Sequence, residues 1–117
     1  MRNYITQLSM ALKQLLNKLD IVYESYSTNN QLRQDTPFLK EWFPDTIKML
    51  EKWNASINKI VIEPNKVSDV DFHHCLGEMQ SIGQGFDVDL SWSKHDEEIR
   101  LELVTCMKLS NKILIDI

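Results

Sequence analysis

Apolar side chains recur every three or four residues along most of this 117-residue chain, which is the spacing of one face of an α-helix. The longest stripe opens the chain and predicts a helix of about six turns. We expect it to end at the polar run 27–31, where Asn29 or Asn30 would take the left-handed conformation that follows many helices. The stripe comprises Ile5, Leu8, Leu12, Leu15, Leu16, Leu19, Val22, Tyr23 and Tyr26.

Prolines mark the predicted helix starts in the middle of the chain. Thr36 followed by Pro37 fits a cap and a first helical position, where the missing proline N–H costs nothing. We expect Pro44 to begin a new helix rather than to kink a longer one, with Asp45 in its first turn. Residues 60–62 fit either the end of that helix or a short strand. The predicted apolar positions of the helix that begins at Pro44 are Ile47, Leu50, Trp53, Ile57 and Val61.

In the C-terminal half of the chain, serines are the predicted N-terminal caps of the helices. Ser68 would begin a helix that stops at Gly83 or Gly85, and Ser93 would begin the last helix. Carboxylates in both first turns suit the helix dipole. The expected buried positions are Phe72, Cys75, Leu76, Met79 and Ile82 in the first helix, and Ile99, Leu103, Cys106, Met107, Ser110 and Leu114 in the second.

Residues 86–92 break the helical pattern, because apolar and polar residues alternate there with a period of two. This alternation predicts a short extended segment. A single strand leaves its backbone groups unpaired. The segment therefore pairs with residues 60–62, lies on the bundle as an ordered loop, or binds a partner.

These elements predict an all-α or mainly α fold, a bundle of four to five helices in one domain over residues 1–117. Three glycines and three prolines are too few for the turns of a sandwich or barrel. No apolar run is long enough for a membrane span, and the first residues do not resemble a signal peptide. We therefore expect a cytoplasmic protein, with Cys75 and Cys106 as reduced core residues.

The charge is distributed unevenly between the two halves. Residues 1–66 hold nine Lys/Arg and seven Asp/Glu, a balance of +2, whereas residues 67–117 hold four and ten, a balance of −6. A negative surface repels a phosphate backbone, so we expect no nucleic-acid binding through the C-terminal half. The same surface attracts a cationic partner.

No catalytic arrangement is evident. Cys75 follows His73 and His74, but neighbouring residues of a helix do not face each other, so neither histidine is placed to activate the thiol. Gly83 and Gly85 lack the rest of a phosphate-loop pattern. We therefore predict that the protein is not an enzyme and carries no cofactor.

A metal site is the alternative chemistry in this region. Asp71, His74 and Glu78 recur at three- and four-residue spacing on one helical face, and His95 is a possible fourth ligand. The pattern lacks the paired spacing of strong zinc motifs, so we favour a solvated polar face without metal. A metal-dependent hydrolytic domain remains the alternative function.

The main hypothesis is an acidic docking surface for a basic protein. Trp92 lies in the sequence between two pairs of carboxylates, and a desolvated aromatic ringed by charge is typical of a binding hot spot. We expect a small inhibitor, such as an immunity protein that neutralises a nuclease-type toxin. The competing interpretations are an ordinary acidic surface with Trp92 in the core, and a structural module that oligomerises through its first helix. The predicted partner-binding residues are Asp87, Asp89, Trp92, Glu98 and Glu102.

Overall fold

The N-terminal stripe forms one long helix, α1 (Arg2–Ser27), in the computed structural model of the chain. The structure describes the backbone of residues 2–117 and the side chains of residues 3–117. The stripe faces inward, and Leu8, Leu12, Leu15, Leu19 and Val22 are completely buried. Because this face is covered by the rest of the chain, it offers no surface for pairing with a second copy.

A short helix, α2 (Asn30–Asp35), follows α1, whereas the sequence predicts only a polar run that ends the first helix. Asn29 does not adopt a left-handed conformation, since its φ is −107°. Its side-chain oxygen instead accepts a hydrogen bond from the Leu32 N–H at 3.0 Å. Asn30 lies within α2, and no described non-glycine residue has a positive φ, so the left-handed prediction is wrong for both asparagines. An asparagine oxygen serves equally well to satisfy a free N–H at a helix start.

Helix α3 (Leu39–Ile62) runs without interruption through Pro44, so the predicted new start there is wrong. Thr36 does not cap it either, because the Thr36 hydroxyl donates to the Leu32 carbonyl at 2.7 Å and closes α2. The helix tolerates this proline because a single apolar stripe continues on both sides of Pro44 and packs into the core. That stripe is Leu39, Phe43, Thr46, Leu50, Trp53, Ile57 and Ile60.

Three further helices and a 3₁₀ turn complete the chain. A 3₁₀ turn (Pro64–Lys66) leads to α4 (Val70–Gln80), the one-turn α5 (Ile82–Gly85) and α6 (Asp96–Asp116). The caps differ from prediction, since α4 is capped by Asp69 and α6 follows His95. The predicted serines lie one and two residues too early. The glycines do not stop α4, which ends before Ser81; they lie within α5, and no described glycine has a positive φ.

The four long helices form an elongated bundle of 49 × 20 × 20 Å. Helix α1 packs against α3 and α6, and α4 packs against the same two helices from the other side. The mainly α bundle predicted from the sequence is confirmed, and residues 2–117 contain no strand. No helix in this range has both the length and the apolar character needed to cross a bilayer.

Candidate docking surface

Residues 86–92 form an irregular segment laid across one end of the bundle, which we call the docking loop. Residues 60–62 belong to α3, so the hairpin with them does not form. The alternation nevertheless persists: Phe86 and Leu90 are buried, and Val88 is half-buried. Asp87 and Asp89 are exposed. The segment thus turns both carboxylates to solvent while its apolar side chains hold it against the core.

Arg100 of α6 anchors this loop. Its guanidinium donates one hydrogen bond to the Phe86 carbonyl and another, of 2.6 Å, to the Val88 carbonyl. Its Nε lies 3.3 Å from the Asp96 carboxylate, one turn earlier in the helix. A single cation therefore satisfies the carbonyls on both sides of Asp87, which a loop without strand partners would otherwise leave unpaired.

Aromatic side chains hold the loop at its two ends. The Trp42 indole donates to the Gly85 carbonyl at 2.8 Å, and its ring meets Phe86 edge-on at 5.2 Å. At the other end the Trp92 indole donates to the Asp89 carbonyl at 3.0 Å. Trp92 is half-buried and packs against Tyr26, with ring centroids 6.2 Å apart. The main contribution of Trp92 is therefore to brace the loop, with only part of its ring open to a partner.

Asp89 is held in one orientation by Ser91. Its carboxylate accepts hydrogen bonds from the Ser91 N–H at 2.9 Å and from the Ser91 hydroxyl at 2.5 Å. These bonds lower the pKa of Asp89, because they favour the ionised carboxylate, and the nearby Arg100 adds to the effect. Asp87 has no ion-pair partner among residues 3–117. The loop thus presents two negative charges, one fixed in orientation and one without a neutralising cation.

Glu98 is partly neutralised within the chain. Its carboxylate lies 3.1 Å from Lys18 Nζ of α1 and 3.5 Å from His95 Nδ1. The hydrogen bond from Lys18, and then that from His95, lower the pKa of Glu98. Glu102 lies one turn further along the same side of α6 and is half-buried. Glu98 therefore contributes less negative field than its formal charge suggests, whereas Glu102 has no ion-pair partner among residues 3–117.

The five predicted docking residues do not form one continuous face. Arg100, which contacts the loop, and Glu98, which contacts α1, lie about 160° apart around α6. Asp87 and Asp89 are thus on one flank of α6, and Glu98 and Glu102 are on the other. Trp92 lies at the end of the bundle, against Tyr26 of α1 and Phe43 of α3. The structure therefore reduces the candidate surface to the docking loop, because Glu98 and Glu102 lie on the opposite flank of α6.

Arg100 organises the candidate surface, and the sequence patterns do not predict this role. Two features distinguish Arg100: it is the only arginine in residues 67–117, and it lies four residues after Asp96, at the spacing of a helical ion pair. Neither feature predicts that its guanidinium reaches back 12 and 14 residues to the loop carbonyls. Such a contact depends on how α6 packs under the loop.

The candidate metal ligands do not assemble. His74 and Glu78 line a groove of about 900 Å³ beside α4. Glu78 accepts a hydrogen bond from the Trp53 indole at 3.0 Å. His95 lies instead at the start of α6, beside Glu98. Across residues 3–117 no three His, Cys, Asp or Glu side chains are grouped as a metal ion requires. The combination of Asp71, His74, Glu78 and His95 therefore has no support from the geometry.

Both cysteines are free and buried, as the sequence predicts. Burial raises the pKa of Cys75 to about 12 and that of Cys106 to about 12. The Cys75 thiol donates to the Trp53 carbonyl at 3.8 Å. A buried thiol with a raised pKa is a poor nucleophile.

Comparisons with known proteins yield no relative: no family model matches the chain, and no curated protein or solved structure shows significant similarity to it.

Proposed function

We propose that the protein is a small inhibitor that binds a basic surface of a partner protein through its docking loop. The observation that carries this proposal is the Arg100 anchor, which fixes the backbone on both sides of Asp87 while leaving its carboxylate exposed. A loop already held in one conformation loses little conformational entropy when it binds.

The charge of the loop selects the class of partner. Asp87 and Asp89 project from a C-terminal half with a balance of −6, to which Glu102 on the opposite flank of α6 also contributes. Such a field accelerates encounter with a basic surface and disfavours acidic ones. Nuclease active sites are basic, because they bind a phosphate backbone. An immunity protein that covers a nuclease-type toxin in the cytoplasm would use both properties.

The test is binding to a catalytically inactivated nuclease encoded by a neighbouring gene, measured by calorimetry at low and high salt. For the native inhibitor we expect a nanomolar dissociation constant that rises steeply with salt. Replacing both loop carboxylates, Asp87→Asn with Asp89→Asn, should weaken binding at least tenfold. Asparagine retains an oxygen that accepts from Ser91, so the loop conformation is preserved.

The matched control removes two exposed carboxylates elsewhere, Glu41→Gln with Asp45→Asn on α3, which changes the net charge equally. This variant should bind within about threefold of the native protein. If the loop variant binds as tightly as the control, the docking-loop proposal is wrong. If the native protein does not bind the nuclease at all, the inhibitor function itself is contradicted for that partner class.

A further inference from the structure

The solvent-facing side of α6 carries a second pattern, distinct from its buried stripe. Glu97, Leu101, Val104 and Lys108 follow one another at spacings of four, three and four residues, and all four are exposed. We call this set the outer stripe. Leu101 is 63% exposed and Val104 is 45% exposed, so the stripe places two aliphatic side chains on the same line of the helix surface. Spacings of four and three are those of a coiled-coil seam.

The outer stripe is complementary to itself. Its midpoint falls between residues 102 and 103, with Leu101 and Val104 equally far on either side and Glu97 and Lys108 equally far beyond them. An antiparallel copy of the helix would therefore place Glu97 opposite Lys108 of the second copy. Leu101 would lie opposite Val104 of that copy. Both charge pairs and both apolar contacts repeat by symmetry, which is the requirement for a two-fold interface.

We propose that two copies of this chain associate through the outer stripe, with their α6 helices antiparallel. The buried stripe of α6 stays in each subunit's own core, since Ile99, Leu103 and Cys106 lie on the opposite side of the helix. This interface replaces the first-helix pairing suggested by the sequence, because the stripe of α1 is buried. It does not involve the docking loop, so it goes beyond the proposed inhibitor function.

The surroundings of the stripe favour such a contact. Helix α1 runs antiparallel beside α6, as the contacts of Lys18 with Glu98 and of Lys112 with the Tyr4 ring show. The exposed Met10 of α1, 57% accessible, is an additional apolar side chain on the outer surface of this helix pair. Two helices that meet over about three turns bury less than the standard ~1,600 Å² interface, so we expect a dissociation constant in the micromolar range.

Sedimentation velocity of the intact protein from 5 to about 500 µM, at low salt to limit screening, tests this directly. Native protein should shift from monomer to dimer across that range. The two ion pairs of the dimer join position 97 of each copy to position 108 of the other. Glu97→Lys alone and Lys108→Glu alone each place like charges in both pairs. Each should weaken dimerisation by about tenfold or more. The double variant reverses every charge and should dimerise within about threefold of the native protein.

A mixture of the two single variants provides the sharpest evidence. In the mixed pair every Lys faces a Glu, so heterodimers should form where neither variant alone dimerises. Glu41→Lys, in the first turn of α3, and Lys48→Glu, on its exposed side, are matched controls that should dimerise normally. Circular dichroism of each variant establishes that it is folded.

Monomeric native protein at 500 µM would overturn the proposal. So would single variants that dimerise like their controls, or a double variant that fails to recover. No partner protein enters these measurements, so their failure is separate from failure of the inhibitor function.

Discussion

Arg100 shows how one side chain replaces the hydrogen bonding of a strand. The docking loop alternates like a strand, yet no neighbouring strand is present among residues 2–117 to accept or donate its ladder bonds. Two of its carbonyls are satisfied by a guanidinium instead. Arginine suits this position because its donors lie in one plane and its charge is never lost at physiological pH. These two carbonyls therefore depend on one residue for their hydrogen bonds, which those of a paired strand would not.

Arg100→Met should consequently loosen the loop without unfolding the bundle. The methionine retains an apolar stem but leaves the Phe86 and Val88 carbonyls without their donor. We expect a loss of roughly 1–2 kcal/mol in the free energy of unfolding, at the lower end for a charged donor because the Arg100 side chain is 38% exposed. Amide hydrogen exchange in residues 86–92 should accelerate most. Urea unfolding and exchange mass spectrometry measure the two effects.

Arg33→Met is the matched control, because Arg33 makes a single 3.4 Å contact to the Ser27 carbonyl on an exposed helix. Its stability should change by less than about 0.5 kcal/mol. If exchange in residues 86–92 is the same in both variants, Arg100 does not anchor the loop.

At the scale of elements, the sequence predicts long helices well and short connections poorly. The stripes of α1 and α6 repeat over many turns, so one misplaced residue does not hide their period. Helix α2 has six residues and α5 has four, too few for any period to be visible. Their existence depends on local contacts, such as the Asn29 cap, that compete with turn conformations of similar energy.

Pro44 illustrates a different error, in which packing outweighs the strong local tendency of a proline to break a helix. A proline in the second turn of a helix lacks the N–H that would bond four residues back, and local rules favour a break there. The helix continues because Phe43 on one side of the proline and Leu50 on the other are completely buried on a single stripe. Packing energy distributed over the whole of α3 exceeds the local cost.

Pro44→Ala should therefore stabilise the protein, since alanine restores the missing N–H and fits the helix that already exists. We expect a gain of roughly 1–2 kcal/mol, less than the full ~3 kcal/mol difference in helix propensity, because the unfolded chain also gains freedom. Urea unfolding measures it, with Pro37→Ala, which precedes α3, as the control that should give no comparable gain. A loss of stability in Pro44→Ala would mean that the proline sets the geometry of the helix start.

For the molecule as a whole, the sequence shows which half carries the negative charge but not which carboxylates are paired with cations in the fold. The balance of −6 in residues 67–117 follows from counting. The pairing of Glu98 with Lys18 joins residues 80 positions apart and depends on α1 lying beside α6. The division of the acidic residues between two flanks likewise depends on how α6 is rotated in the bundle. Such properties belong to tertiary packing, which no local pattern contains.

The two cysteines allow a test of whether the bundle behaves as the single domain predicted from the sequence. Cys75 lies on α4 and Cys106 on α6, and both are within one hydrophobic core. With pKa values raised to about 12, the native thiols are protonated and shielded at pH 8. On unfolding the pKa of each thiol returns toward the ordinary value of 9.0. About a tenth of the unfolded thiols are then reactive thiolate at pH 8.

If the core opens only as a unit, both thiols should react with an excess of a thiol reagent at rates that agree within about threefold. Peptide mapping by mass spectrometry measures the two rates in the same native sample, and the fully unfolded protein in urea provides the intrinsic reactivity of each thiol. Low concentrations of urea should raise both rates in parallel, because each then reports the same global unfolding equilibrium. A Cys75 rate more than tenfold above that of Cys106 would show that α4 detaches by itself, and the chain would then consist of two separately stable units.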